Sequence, residues 1–166
     1  MRDLHGSLVE RHWIGRAEVR RGDGLIARLA AALIGFPRAG TDVPLRVAIA
    51  PRRDGERWTR EFEGKAFSSV LRPGGGRNED LLLERFGMIE IALALVVDGG
   101  RLMFVPRRWS CLGIPLPRFI LPVGTTYECE RGGRFAFDVE IGAPIVGLIV
   151  AYRGELDPAQ SRFHLG

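Results

Sequence analysis

The feature that most constrains the fold is an alternation of apolar and polar side chains that runs from Val43 almost to the end of the chain. Leu45, Val47 and Ile49 take every second position, and the same period returns at 88–97 and 135–141. A period of two is that of a β-strand, whose successive side chains point to opposite faces. Short glycine-containing turns separate these runs at 52–55, 98–100 and 131–133. Tight turns between successive strands predict an antiparallel meander.

A long meander does not stay flat, because strands twist and glycine bends increase the curl. We therefore predict a mainly β (α+β) fold: a curved antiparallel meander sheet or partly open barrel of seven to eight strands. A two-layer β sandwich is the alternative. The chain has no repeat, linker or low-complexity segment, so we expect residues 1–166 to form a single domain.

One segment, Gly24–Ile34, has the pattern of a helix instead. Asp23 is the expected N-cap, Gly35 the left-handed residue after the helix, and Pro37 prevents its continuation. Arg28 is the only charged residue in the segment, and helices this apolar are usually buried on most sides. We predict that the sheet wraps around this helix. Contact with a membrane surface is the alternative, although the helix lacks a basic polar face.

Other segments are assigned from the same signals. The turn Arg52–Gly55 is expected to lead into one long strand, Glu56–Leu71, and 73–80 is expected to be a flexible loop. The prolines of Leu112–Arg118 predict an apolar loop outside the sheet. The first dozen residues are expected to form a short helix capped by Asp3.

Composition argues against several classes of protein. The net charge is +4, but 23 of the 24 basic residues are arginines spread along the chain, so we do not predict nucleic-acid binding. No apolar run is long enough for a transmembrane segment, and no signal peptide is visible, so a cytoplasmic location is expected. Cys111 and Cys129 lack metal-ligand spacing, and the histidines lie near the chain ends. No metal and no cofactor are predicted.

Polar residues at inward positions mark the candidate ligand-binding site. If Trp58 and Phe62 point inward, the period of two places Arg60 inward between them. Glu84 shares a face with Leu82 and Phe86, and Tyr152 aligns with Leu148 and Val150. The candidate site therefore consists of these residues: Trp58, Arg60, Phe62, Glu84 and Tyr152. Arg60 and Glu84 form either a structural ion pair or the polar anchor of a ligand, since guanidinium groups suit carboxylates and phosphates.

No catalytic signature accompanies this site. Ser68 and Ser69 have no histidine nearby in the sequence, and the nucleophile motif Gly-x-Ser-x-Gly is absent. A general base at Glu84 would need a pKa raised by burial, whereas a neighbouring Arg60 would lower that pKa. We therefore do not predict an enzyme, and assign no catalytic residue.

Several short motifs resemble, in order, a bacterial domain family of unknown function. They are Leu4-His5, Gly35-Phe36-Pro37, Trp58-x-Arg60-x-Phe62, Glu84-Arg85-Phe86-Gly87, Leu112-Gly113-Ile114-Pro115-Leu116-Pro117, Phe135-x-Phe137-Asp138-Val139 and the stretch from Pro144 to Gly154. The resemblance implies a domain found alone or fused to saccharopine-dehydrogenase-like NAD(P)-binding domains. It brings no established activity and points to a small-molecule context by association only.

Two hypotheses follow. In the first, the curved sheet encloses a pocket for an apolar or lipid-like small molecule, neutral or anionic, that is anchored by Arg60 and Glu84. In the second, the chain is an accessory domain with a filled core that binds a dehydrogenase-like protein partner through an apolar patch at Leu112–Leu121. A homo-oligomer is compatible with either hypothesis.

Overall fold

A computed structural model of the chain describes residues 9–159. Eleven strands, one α-helix and two 3-10 turns (Gly76–Asn78 and Arg118–Ile120) follow one another. The elements are β1 (Arg11–Arg21), α1 (Leu25–Ile34), β2 (Gly40–Arg52), β3 (Gly55–Phe62), β4 (Lys65–Pro73), β5 (Leu82–Phe86), β6 (Ile89–Asp98), β7 (Arg101–Cys111), β8 (Ile114–Pro115), β9 (Thr126–Arg131), β10 (Arg134–Ala143) and β11 (Gly147–Pro158).

Ten of these strands close into an antiparallel β-barrel. The sheet order is β6-β5-β4-β3-β2-β1-β11-β10-β9-β7-β8, and an additional β6–β7 pairing joins the two sides of this order into a ring. The prediction of a mainly β meander is confirmed, but the predicted seven to eight strands and the partly open sheet are wrong. Because the barrel is closed, most of its strands have a partner on both sides. A partly open sheet or a sandwich would leave edge strands with unpaired backbone groups.

One of the additional strands comes from a turn that the sequence pattern does not reveal. The predicted strand Glu56–Leu71 is a hairpin of β3 and β4, with Glu63 and Gly64 at positive φ angles of 47° and 79°. Two consecutive left-handed residues form the tight turn that matches strand twist. The sequence does not indicate this turn, because glutamate rarely adopts the left-handed conformation that Glu63 has here.

Two further expectations are corrected. The proline segment is not wholly outside the sheet, because Ile114–Pro115 (β8) pairs with Ser110–Cys111 at the end of β7. The first dozen residues do not all form a helix, since β1 begins at Arg11 and His12 pairs with Ala48. Asp3, Leu4 and His5 lie outside the described residues.

Helix α1 lies across one end of the barrel and is not wrapped by the sheet. Its first turn lies near the β10–β11 turn, where Gly24 approaches the carbonyl of Val146. Its last turn reaches β4 and β5, because Phe36 packs edge-on against Phe67 at 5.2 Å and against Phe86 at 6.3 Å. Ten helical residues span about 15 Å, enough to cross much of a small barrel.

The ends of α1 are fixed mainly by backbone groups. Gly35 adopts φ 84° as predicted, and the amide of Phe36 donates to the carbonyl of Ala31 at 2.9 Å. The predicted Asp23 cap is wrong, because Gly24 is the N-cap residue and no side chain caps the helix. The Arg21 guanidinium donates to the carbonyls of Phe36 and Pro37, which holds the chain after the helix against β1.

The prediction that α1 is buried on most of its sides is also wrong, because only one narrow side of the helix faces the barrel. Ala27 and Ala31 are 0 % exposed and face the barrel, whereas all the large aliphatic side chains of the helix except the half-buried Ile34 point outward. Small side chains allow the helix backbone to lie close to the strand ends. The exposed side chains are Leu25, Ile26, Leu29 and Leu33.

Aromatic rings fill much of the barrel interior. Phe62 stacks on Phe67 with centroids 6.1 Å apart, and both rings meet Tyr152 edge-on. Phe137 contacts Tyr152 from the other side at 6.1 Å. These residues belong to one core cluster that also includes Phe36 of the α1–β2 connection.

The two ends of the barrel differ in their chain connections, because neighbouring antiparallel strands put alternate connections at opposite ends. One end, called the helix end below, carries α1 and the connections 63–64, 87–88, 112–113, 116–125 and 144–146. The other, called the turn end, carries the connections 53–54, 74–81, 99–100 and 132–133. Within residues 9–159, no helix has the length and hydropathy needed to cross a membrane.

Candidate functional site

A cavity lies inside the barrel, and its walls are mostly apolar. It offers about 80 Å³ to the centres of water molecules, within an outline of about 700 Å³ that includes its open mouth. The apolar walls come mainly from β4 to β7 and from β10: Leu71, Phe86, Ile91, Leu93, Phe104, Pro106, Val139 and Ile141. Trp58, Arg60, Glu84, Thr126, Glu128, Glu140 and Tyr152 add polar groups.

The mouth of the cavity exists because two strands pair over only part of their length. β7 pairs with β9 only from Arg101 to Met103, so residues 104–111 of β7, towards the helix end, have no partner in β9. The segment 116–125 covers this gap, with the Trp109 Nε1 group donating to the carbonyl of Pro117 at 3.1 Å and Val123 bridging to Gly142. Val123 and Gly124 line the cavity and are exposed, so the opening lies beside them at the helix end.

Arg60 points into this cavity, as the alternation in β3 predicts. Its side chain is 14 % exposed, and its guanidinium donates to Ser69 Oγ at 2.9 Å and to Glu84 Oε1 at 3.5 Å. The guanidinium carbon lies 5.2 Å from the ring centroid of Trp58 and 5.6 Å from that of Phe67. Stacking and hydrogen bonds together hold the cation in an otherwise apolar wall.

Glu84 is the carboxylate of this pair, with 15 % of its side chain exposed. It accepts a hydrogen bond of 2.7 Å from the hydroxyl of Ser69. Burial raises the pKa of the Glu84 carboxyl above its usual value of about 4.5, and this effect exceeds the lowering caused by Arg60 and Ser69. The sequence left this competition open, and the structure decides it in favour of burial.

Tyr152 and Phe62 take different places. Tyr152 lines the cavity, and burial raises the pKa of its phenol to about 12, so the hydroxyl stays neutral at physiological pH. Phe62 is buried among Phe67 and Tyr152 and does not line the cavity. Of the predicted site residues, the structure therefore brings together Trp58, Arg60, Glu84 and Tyr152 and leaves Phe62 in the core.

Four polar residues at the site were not predicted: Ser69, Thr126, Glu128 and Glu140, of which Ser69 and Glu128 act on Glu84. Ser69 is only 1 % exposed and links Arg60 to Glu84. Its signal was available, because it takes an inward position between Phe67 and Leu71. Glu128 lines the same cavity from β9, and its negative charge acts on Glu84 and Tyr152. Its place beside β5 depends on closure of the barrel, which no local pattern shows.

Several charged residues on the outer face form ion pairs across neighbouring strands. Arg153 pairs with Glu18 at 2.6 Å, and Arg134 pairs with Glu155 and Asp157. The pKa of Asp157 is lowered chiefly by its hydrogen bond from Arg134. Arg153 faces outward while Tyr152 faces inward, as the alternation predicts.

Metal ligands and thiols offer no second site in the described part of the chain. Among residues 9–159, no three histidine, cysteine, aspartate or glutamate side chains lie close enough to hold a metal ion. Cys111 and Cys129 are both free thiols, Cys129 buried and Cys111 half-buried.

The comparisons with known proteins bear on the family and not on the chemistry. No curated protein and no solved structure matches the chain. The motifs around Arg60, Glu84 and the Pro144–Gly154 stretch resemble a family without an assigned activity, and that resemblance is confirmed. The family described as "Domain of unknown function (DUF4166)" matches residues 1–156, and the chain belongs to it.

Proposed function

We propose that the barrel binds an apolar small molecule, one end of which enters the cavity and meets Arg60 and Glu84. The observation that carries the proposal is the placement of a hydrogen-bonded polar cluster at the wall of an apolar, open cavity. Ligand sites are usually apolar with a few converging polar groups. A polar cluster inside a core costs free energy, so its position at an accessible wall supports a binding role.

The size of the cavity limits what it can hold. About 80 Å³ is small beside the roughly 300–1,000 Å³ of pockets that enclose whole drug-sized ligands. The terminal part of a lipid-like molecule fits this space better than a complete large ligand. The remainder would leave through the mouth beside Val123.

The charge at the cavity determines which polar end is favoured. An anionic head group near Arg60 also lies near Glu84 and Glu128. Since burial already raises the pKa of Glu84, an acid would bind together with a proton on that carboxyl. A neutral head group such as a hydroxyl needs no such proton. An anionic ligand is thus expected to bind more tightly as the pH falls, and a neutral ligand is not.

The first test is native mass spectrometry of the purified protein, with denaturing extraction of any bound molecule. Titration with a fluorescent polyene fatty acid and with the matching alcohol then measures affinity directly. Val123→Trp narrows the mouth and is expected to weaken binding at least about tenfold, or about 1.4 kcal/mol. Val97→Trp, at an exposed position near the turn end, is the matched control and should bind as the wild type does.

Arg60→Ala tests the polar anchor and should lower the affinity for the acid more than that for the alcohol. An apo mass together with no uptake of either probe would contradict the proposal. Equal affinities for Val123→Trp and Val97→Trp would place binding outside this cavity.

An accessory role for a dehydrogenase-like protein partner is the second candidate. One observation favours it: Leu112, Ile114 and Phe119, all in the segment predicted to contact a partner, are exposed. A fusion or complex with such a domain stays a prediction. The cavity favours small-molecule binding over the accessory role, because the accessory role predicts a filled interior.

A further inference from the structure

The outward face of α1 is unusual for a helix at the surface. Leu25, Ile26, Leu29 and Leu33 cover an arc of about 100° on this helix, and Leu25 is 82 % exposed. Surface helices normally turn their apolar side inward and a polar side to water. Here the inward side consists of alanines and the half-buried Ile34, and the four large aliphatic side chains on the outward side stay mostly exposed.

Other exposed apolar side chains lie at the same end of the barrel. Met88, Leu112, Phe119 and Ile145 belong to four separate connections, and Ile145 is 98 % exposed. Strand direction places all four connections at the helix end. Two of them touch, since the amide of Leu112 donates to the carbonyl of Met88 at 2.9 Å. The helix end therefore presents a broad apolar surface built from a helix and several turn tips.

The turn end has the opposite character. Its connections contain Arg53, Asp54, Arg77, Glu79 and Asp80 together with glycine pairs at 99–100 and 132–133. Four exposed aliphatic side chains near this end lie on strands and not on the connections: Ile14, Leu95, Val96 and Val97, of which Val97 is 77 % exposed. The connections at the helix end thus carry exposed apolar side chains, whereas those at the turn end carry charged residues and glycines, which favours the helix end for contact with an apolar environment.

Charge and shape indicate what covers this surface. Arg28, Arg38 and Arg118 lie among the apolar side chains and form no ion pair with any residue in 9–159. Among the charged residues of α1 and of the connections at this end, these three arginines outnumber the two acidic residues, Asp23 and Glu63, by one. An apolar helix lying flat, apolar turn tips and flanking cations are what an anionic lipid surface binds. A partner protein would need one groove that fits α1 and several separate turn tips of the helix end at the same time, whereas a lipid surface adapts to them.

We propose that the helix end docks onto a lipid bilayer that contains anionic lipids, with the outer face of α1 and the turn tips inserted at the interface. The mouth of the cavity beside Val123 then faces the bilayer. Apolar contact supplies most of the binding, because the excess of positive charge at this end is small. Docking does not require a ligand in the cavity, so this proposal and the proposed function can fail separately.

The test is vesicle flotation with the full chain, using phosphatidylcholine vesicles with and without a quarter of phosphatidylglycerol. The wild type is expected to float with vesicles, more strongly with the anionic lipid. Leu25→Glu puts a carboxylate at the N-terminus of α1, where the helix dipole favours it, so the fold is retained. This change is expected to lower the affinity for vesicles about tenfold. That factor corresponds to about 1.4 kcal/mol of binding free energy, which is what losing the burial of one leucine side chain in the membrane interface would remove.

Val97→Glu is the matched control, because it makes the same chemical change at a similarly exposed position near the other end. It should float as the wild type does. Arg38→Gln should weaken flotation with anionic vesicles by a smaller factor than Leu25→Glu, whereas Arg53→Gln at the turn end should not.

Three results would overturn the proposal. The first is that the wild type does not float with either vesicle. The second is that Leu25→Glu and Val97→Glu lower flotation equally. The third is a dimer in solution that Leu25→Glu dissociates while flotation is absent, which would assign the face to a second copy of the chain. Probe uptake in the absence of vesicles tests the cavity independently of all three.

Discussion

At the scale of single residues, the polar side chains inside the barrel form a connected group. Arg60 donates to Ser69, and Ser69 donates to Glu84. Each is a polar residue at a position where the strand alternation demands an inward side chain. A buried ion pair is weak support for stability, because desolvation offsets much of the attraction. The group is therefore the set of polar contacts that the proposed ligand would meet.

Glu84 gives a prediction about pH. Its pKa is raised in the folded state, so the folded protein holds this proton more tightly than the unfolded chain does. The contribution of Glu84 to the free energy of unfolding is then fully present below about pH 4.5, the unfolded pKa. It is lost as the pH rises through the raised folded pKa. We expect the free energy of unfolding of the wild type, minus that of Glu84→Gln, to fall over this window and then to level off.

Urea unfolding at a series of pH values measures this difference. Glu90→Gln removes a carboxylate that pairs with Arg72 on the outer face, so it separates loss of the buried carboxyl from loss of one negative charge. A wild-type-minus-Glu84→Gln difference that rises with pH would show that Arg60, and not burial, dominates at this site.

At the scale of elements, α1 shows how small residues determine which side of a helix is buried. Ala27 and Ala31 are spaced by one turn and lie against the barrel end, where the backbone is close. Hydrophobicity alone would have turned the leucines inward. Shape decided the orientation, since Phe36 and Phe67 already fill the barrel end, and the two fully buried residues of α1 there are alanines.

This orientation gives a prediction that reverses the usual expectation for a helix. Ala31→Leu adds volume to a packed contact and should lower the free energy of unfolding by about 1–3 kcal/mol. Leu33→Ala on the outer face should change it by less than about 0.5 kcal/mol. Chemical denaturation of both variants checks this. A large loss in Leu33→Ala with none in Ala31→Leu would mean that the helix is turned the other way.

At the scale of the whole molecule, the barrel closes where its first and last strands meet. β1 pairs with β11 from Trp13 to Arg21, joining residues more than a hundred positions apart. Gly154 permits this contact, because a Cβ atom there would lie 2.1 Å from the carbonyl oxygen of Arg16. The loop-closure entropy of such a pairing is large, so we expect the seam to be sensitive to added bulk.

Gly154→Val tests the seam. It should lower the free energy of unfolding by at least about 1–3 kcal/mol, because a side chain there meets backbone atoms that cannot move aside. Amide hydrogen exchange should speed up at 16–19 and 151–154 before it does elsewhere. Gly75→Ala is the control, since a Cβ atom at Gly75 meets nothing within 4 Å. Unchanged exchange at the seam in Gly154→Val would show that the two strands tolerate separation.

The sequence by itself determined the features that depend on neighbouring residues. The alternation identified most strands, and it placed Trp58, Arg60, Glu84 and Tyr152 inward because a strand's side chains alternate by geometry alone. Gly35 ended the helix for a similarly local reason, since glycine adopts positive φ without strain. The turn at Glu63 escaped prediction because its backbone conformation is imposed by the paired strands, and not by its own preference.

Only the tertiary structure decided the features that depend on residues far apart in the chain. Ten-strand closure, the gap between β7 and β9 that opens the cavity, and the place of Glu128 all follow from long-range pairing. The side of α1 that faces water was also decided there. A sequence pattern reports how apolar a helix is, whereas the shape of the surface it meets determines which of its faces can pack.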